Sequence, residues 1–191
     1  LYKEGYAPTY TQAATYIFLS KVVNQTYPGG DWPEWFVNSQ FIDYDMAADV
    51  TTDSRYKSLI EPALLSIPTI SLTTDMKNLF DETEGIYVNA TNKGEDWERD
   101  CSVELINPNG EKGFMINAGV RIRGGNSAKN GANPKHAFRL FFREQYGVSK
   151  LNYPLFGNTG ADEFDCIDLR CEQNYSWSMD GDRHNTMVKD L

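Results

Sequence analysis

Arg121, Arg123, Lys129, Lys135, Arg139, Arg143 and Lys150 fall between Asn117 and Lys150, with Glu144 as the single acid among them. Seven cations against one acid make this window about +6 in a chain whose formal charge is -9, so the remainder stands near -15. Cations gathered this way in an acidic protein suit anion capture, because Arg presents a planar fork of N–H donors and Lys a compact charge to phosphate or carboxylate oxygens. Side chains two apart on a strand share a face. The run Gly119 to Gly124 therefore sends Val120 and Ile122 one way and Arg121 and Arg123 the other, while Lys135 to Arg143 turns His136, Phe138, Leu140 and Phe142 inward and Lys135, Arg139 and Arg143 outward with Phe141. Between them runs Gly124-Gly125-Asn126-Ser127-Ala128-Lys129-Asn130-Gly131, small residues whose backbone N–H groups can come close to an anion. The candidate phosphate-binding set is Arg121, Arg123, Gly124, Gly125, Asn126, Ser127, Lys135 and Arg139. It contains neither a GxxxxGK[ST] loop nor a GxGxxG fingerprint. The competing expectation is that these cations pair with the acidic remainder as surface salt bridges worth about 0 to 1 kcal/mol each.

Other chemistries find less support in the residues. His136 and His184 are the only histidines, and Cys101, Cys166 and Cys171 lack CxxC spacing, so no zinc site or Cys–His pair is expected. The stretch Met179 to Asn185 opens like a calcium loop but lacks the twelve-residue span and its terminal Glu; it reads as a loop and cap, and no metal site is assigned. Cys166 and Cys171, five apart in a strand-like run, should point to opposite faces, whereas a bridge from Cys101 to either stays open. Triplets at Asn24, Asn89 and Asn174 fit the N-x-[ST] pattern. The acidic balance argues against a nucleic-acid partner, and no apolar run approaches the ~20 residues needed to span a bilayer.

These residues need a framework to hold them. With 191 residues, 40% apolar and 13% aromatic, the chain can bury a core. Strands are expected in the first nineteen residues (the second from Ala14 to Leu19), at Thr69 to Leu72, Ile86 to Asn89, Cys101 to Asn107, Gly113 to Gly124, His136 to Arg143 and Asp165 to Cys171. Pro108-Asn109-Gly110 makes the hairpin turn between the two longest. Ser54 to Leu65 reads as a short helix interrupted by Pro62, and a helix begins near Asp182 with Met187, Val188 and Leu191 on one face. The aromatic stretch Tyr27 to Trp35, continuing to Asp49, reads as an irregular segment pinned to the body, with an aromatic platform for sugar rings as its functional alternative. The class is α+β, mainly an antiparallel twisted sheet with a few helices.

Several phrases carry a family resemblance. Ile67-Pro68-Thr69-Ile70-Ser71-Leu72, Asn78-Leu79-Phe80-Asp81 with Gly85-Ile86-Tyr87-Val88-Asn89, and Trp97-Glu98-Arg99 leading to Ser102-Val103-Glu104-Leu105-Ile106 belong to it. So do Ala118 through Gly125, Pro134 through Phe142 and Leu151-Asn152-Tyr153-Pro154-Leu155-Phe156. Together they resemble the CotH kinase family, spore-coat-protein-H-like proteins found in large bacterial extracellular proteins. The resemblance covers Pro68 to Leu191. It implies the N-terminal lobe of an atypical protein-kinase-like fold, which binds ATP with Mg²⁺ and passes the γ-phosphate to Ser or Thr of a protein substrate outside the cell or at its surface. On that reading Arg121 to Ser127 covers the phosphates, and Lys135 or Arg139 neutralises them. Glu172, Asp182 or Asp190 would pair with that cation, and the metal ligands would lie in a C-terminal lobe supplied by the rest of the same chain.

The expected organisation is the end of a preceding β module over 1–19, an aromatic-rich connector with a short helix over 20–66, and the truncated kinase-like part over 67–191. The chain opens without Met and stops inside a predicted helix, as a piece of a longer protein would. The alternative function is a non-catalytic structural protein, or one binding a partner or carbohydrate, built on the same scaffold.

Overall fold

The computed structural model describes residues 3–5, 13–108, 110–129 and 135–171. In chain order the strands are β1 (Phe36–Val37), β2 (Gln40–Phe41), β3 (Thr69–Thr73), β4 (Arg99–Ile106), β5 (Met115–Arg123), β6 (Ala137–Phe141), β7 (Leu151–Asn152), β8 (Glu163–Phe164) and β9 (Cys166–Leu169). The α-helices are short: α1 (Leu19–Val23), α2 (Ala48–Thr51), α3 (Ile60–Leu65) and α4 (Met76–Phe80). Five strands form one antiparallel sheet in the order β3-β4-β5-β6-β9, and β1 with β2 and β7 with β8 make separate two-stranded ribbons. The α+β, mainly antiparallel class expected from the sequence is the class observed.

Period-two alternation decides which face of the sheet is buried. Cys101 and Val103 of β4, Ala118, Val120 and Ile122 of β5 and Leu140 of β6 turn to one side, where they pack with Ile86, Ala90 and Leu151; Leu105 of β4 is buried on the same side. Apolar burial of this kind contributes about 1.5 to 3 kcal/mol per large side chain. The same alternation leaves Ser71, Asp100, Ser102, Glu104, Asn117, Arg121, Arg123, Arg139 and Asp168 on the opposite side. Both cation-bearing strands thus present one common face.

A second, smaller core is built from Ile42, Tyr44 and Val88, with Tyr27, Val37 and Phe80 against it. It fastens the aromatic stretch to the body through edge-on and tilted ring contacts of Trp32 with Tyr44 and Phe80, at 5.9 and 6.1 Å. Gln40 is buried in β2 and reaches His136 at the entry to β6, Oε1 to Nε2 being 2.8 Å. Since the Gln40 amide Nε2 donates to the Phe41 carbonyl, its oxygen faces the ring, and His136 carries its proton on Nε2.

Three local expectations are corrected. Ile86 to Asn89 is a turn: its N–H groups donate to carbonyls of α4 and to Gly85, so Ile86 and Val88 are buried by folding back rather than by strand pairing. Residues 14–18 form no ladder, and Leu19 begins α1; the extended segment is pinned instead by the Thr15 N–H on the Glu104 carboxylate and the Thr15 hydroxyl on Ser71, at 2.8 and 2.7 Å. The helix expected from Ser54 is confined to Ile60–Leu65, preceded by turns, with Pro62 inside its first turn where its missing N–H costs nothing. Two features of the connector were not foreseen: the helices α1 and α2, and a β1–β2 hairpin that turns through Asn38 and Ser39, both at positive φ. The expected hairpin of β4 and β5 is present, with Gly110 at φ +74° in its connection; Asn109 lies outside the described residues. The helix near Asp182, the Met179 to Asn185 loop and Asn174 also lie outside them.

Candidate anion-binding cleft

The common face of β5 and β6 sets Arg121 and Arg139 directly opposite each other in register. Like charges across a strand pair repel, so the arrangement requires counter-ions. Two carboxylates supply them. Glu98, just ahead of β4, is 3% exposed; the Arg121 Nε donates to its Oε2 at 2.6 Å, and Nη2 stands as close to the same oxygen as an ionic contact without hydrogen-bond alignment. The Tyr146 hydroxyl donates to Glu98 Oε1 at 2.8 Å, and Arg143 Nη2 lies 3.5 Å from Oε2. Burial, and then the Glu98 hydrogen bond, push the Tyr146 phenol up to about 12. Arg121 and Arg143 both lie over the Phe141 ring, at 4.5 and 4.9 Å.

Asp168 is the second counter-ion. It faces Arg139 in the β6–β9 register, accepts from Arg139 Nε at 2.6 Å and Nη2 at 2.9 Å, and accepts again from Arg123 Nε at 2.8 Å. The Arg139 hydrogen bonds, with Arg123 behind them, hold its carboxyl below the usual range, and Arg139 is raised in turn.

Above these groups opens a cleft of about 460 Å³. It is lined by Arg121, Arg123, Arg139 and Phe141 from the sheet, by Gly124 and Gly125 just after β5, and by Asn92-Lys93-Gly94 with Trp97 from the segment before β4. Gly124 sits at φ +114°, a conformation that disfavours any side chain, and a Cβ there would run into the Ser127 hydroxyl. A Cβ on Gly125 would meet open space, so its absence leaves the backbone accessible to a ligand. Lys93 donates to the Ala90 carbonyl at 3.1 Å, and burial lowers its pKa. His136, 4% exposed, is lowered to about 4 by burial and by the nearby Lys93 charge; its Nδ1 has no hydrogen-bond partner among the described residues.

Of the eight residues chosen from the sequence, Arg121, Arg123, Gly124, Gly125 and Arg139 line one cleft. Asn126 and Ser127 sit in the 3₁₀ turn beside it, and Lys135 is exposed at the foot of β6; these three are not among its lining residues. Sequence reasoning missed Glu98, Asp168, Lys93 and Trp97. Asp168 was within reach, since alternation in the run after Asp165 turns Ile167 and Leu169 inward and Asp168 outward. The acids first considered as partners, Glu172, Asp182 and Asp190, lie outside the described residues. Cys101 is buried and Cys166 exposed on opposite faces of the sheet, and Cys171 is half-buried; none of the three is in a disulfide among the described residues.

Among the described residues no three His, Cys, Asp or Glu side chains gather into a metal-binding group, and no helix is long and apolar enough to cross a membrane. Comparisons with protein-family models, with curated proteins and with solved structures return no match for this chain.

Proposed function

We propose that this chain is the phosphate-binding lobe of an extracellular, CotH-type atypical protein kinase, holding the di- or triphosphate of ATP in the basic cleft. The observation that carries the reading is the convergence of Arg121, Arg123 and Arg139 with Gly124 and Gly125 around one cavity. The cavity fits a phosphate chain: guanidinium forks match phosphate oxygens, and the glycines admit them to backbone N–H groups. Each charge-assisted hydrogen bond so formed is worth about 1.5 to 3 kcal/mol. ATP, when bound, supplies the transferable phosphoryl group; the residues of this chain bind it, neutralise its charge and orient it. The described residues do not fit Mg²⁺, because no carboxylate lines the cleft and those beside its arginines, Glu95, Glu98 and Asp168, are already engaged by guanidinium groups. On this reading the Ser or Thr acceptor belongs to a protein substrate, and the metal ligands and catalytic carboxylates lie outside the described residues.

A second reading is favoured by one observation. Trp32, Trp35 and Phe36 remain substantially exposed on the connector, with the Trp35 and Phe41 rings nearly parallel, 12° apart at 6.3 Å. Such a surface suits a non-catalytic protein that docks a partner or a carbohydrate on the same scaffold.

Phosphoryl transfer separates the two. A longer protein containing this chain, incubated with Mg²⁺, ATP and candidate protein substrates, should gain phosphate by intact mass, and an Arg123→Ala, Arg139→Ala version should gain none. Absence of transfer from the folded wild-type protein would favour the scaffold reading.

A further inference from the structure

Asp168 lines the cavity next to this cleft, with Arg139 shared by the two, and has a place there that simple ion pairing does not exhaust. It sits between two of the three cleft arginines and takes three of their N–H donors, two from Arg139 and one from Arg123, all between 2.6 and 2.9 Å. Glu98, its side chain 3% exposed, holds Arg121 separately through Nε, whereas the Asp168 side chain is 24% exposed. Four cations line the cleft, Lys93, Arg121, Arg123 and Arg139; Glu98 and the exposed Glu95, 3.8 Å from Nη2, stand against Arg121, whereas Asp168 is the carboxylate hydrogen-bonded to both Arg123 and Arg139. Its carboxylate presents two anionic oxygens to two guanidinium forks, the same contacts that one phosphate group would make.

We propose that Asp168 sets the charge threshold of the cleft: it is a built-in counter-anion that a multiply charged ligand, a di- or triphosphate, displaces from Arg123 and Arg139, and that a single phosphate does not. The inference rests on the cleft being a phosphate site and adds which phosphates it accepts. An incoming anion must replace three charge-assisted hydrogen bonds and tolerate a carboxylate nearby. A singly or doubly charged ion regains little by the exchange. A polyphosphate brings enough oxygens to satisfy both forks and Lys93 together, so the net gain rises with the number of phosphates. Without the carboxylate, the forks are open to any phosphate and the discrimination narrows.

The experiment is calorimetric titration of the 191-residue chain with inorganic phosphate, pyrophosphate and tripolyphosphate at one ionic strength, for wild type and for Asp168→Asn, whose side chain keeps the shape but not the charge. The wild type should bind tripolyphosphate at least a hundredfold more tightly than phosphate. Asp168→Asn should bind phosphate about tenfold or more tightly than wild type does, and the ratio between the two ligands should shrink. Uniform weakening of all three anions in the variant, or an unchanged ratio, overturns the role of Asp168 while leaving the site intact. No binding of any anion by wild type removes the phosphate site itself, and this inference with it. A second measurement needs no variant: the Nε–H resonances of Arg123 and Arg139 in the wild-type chain should move together on saturation with tripolyphosphate and stay in place in inorganic phosphate. Resonances unmoved at tripolyphosphate saturation would overturn the displacement.

Discussion

Removing the Glu98 carboxylate tests how the cation face is held. In Glu98→Ala the Arg121 guanidinium loses an acceptor at 2.6 Å, the Tyr146 hydroxyl loses one at 2.8 Å, and a carboxylate 3% exposed disappears from between them. Deleting one partner of a buried ion pair costs about 3 to 5 kcal/mol, because the other charge is left uncompensated. Two features place this case at the low end. Arg143 has Glu95 at 3.0 Å as a second partner, and Arg121 keeps its place over Phe141 with Glu95 3.8 Å away. The expected loss is about 3 kcal/mol in equilibrium urea unfolding, and Glu98→Gln, which retains the shape and one acceptor, should lose about 2 kcal/mol. Adding Arg121→Met to Glu98→Ala should cost less than the two single changes together, since it removes the stranded cation. Gly119→Ala probes the same point from the other side: a Cβ there would press on the Glu98 carboxylate and lie 2.7 Å from a Tyr146 ring carbon, so destabilisation is expected although glycine is a poor strand residue. A loss under about 1 kcal/mol in Glu98→Ala, or full additivity with Arg121→Met, would refute the reasoning.

Other outcomes follow from the same geometry. His136 is lowered from 6.5 to about 4 in the fold, so the unfolded chain takes up its proton first; the stability from this group is complete above pH 6.5 and falls as pH drops toward 4, by up to about 3 kcal/mol. A His136→Asn chain should show a smaller drop in unfolding free energy between pH 7.5 and pH 4.5, and an equal drop would count against it. Leu140→Ala, at a position with 0% exposure, should lose about 3 kcal/mol in the same unfolding assay. In calorimetric ATP binding, Arg139→Ala should weaken affinity at least tenfold while Lys135→Ala changes it less than threefold; the reverse order would move the site from the sheet face to the loop.

How much of this was legible in the sequence depends on the range of the interaction. Strands β4, β5, β6 and β9 and the shared face of Arg121, Arg123 and Arg139 follow from period-two alternation and from glycine at the turns, signals written within a few residues. Ile86 to Asn89 was misread because an apolar β-branched run looks alike whether it pairs in a ladder or folds back to be buried, and here α4 took its hydrogen bonds. The β1–β2 ribbon has two residues per strand, too few to carry a pattern. Glu98 and Asp168 depend on which strands are neighbours and in what register, 23 and 29 positions from the arginines they hold. Lys93 and Trp97 join the cleft only because folding brings the segment before β4 to the same cavity as Arg121, Arg123 and Arg139, a long-range consequence of packing.

The central claim, that this sheet face binds a nucleotide polyphosphate, is tested most directly by calorimetric titration of the 191-residue chain with ATP, wild type beside an Arg123→Ala, Arg139→Ala double variant of matched thermal stability. The account predicts saturable one-site binding by the wild type that weakens at least a hundredfold in the double variant. Equal affinity in the two proteins, or no binding by a folded wild type, would contradict it.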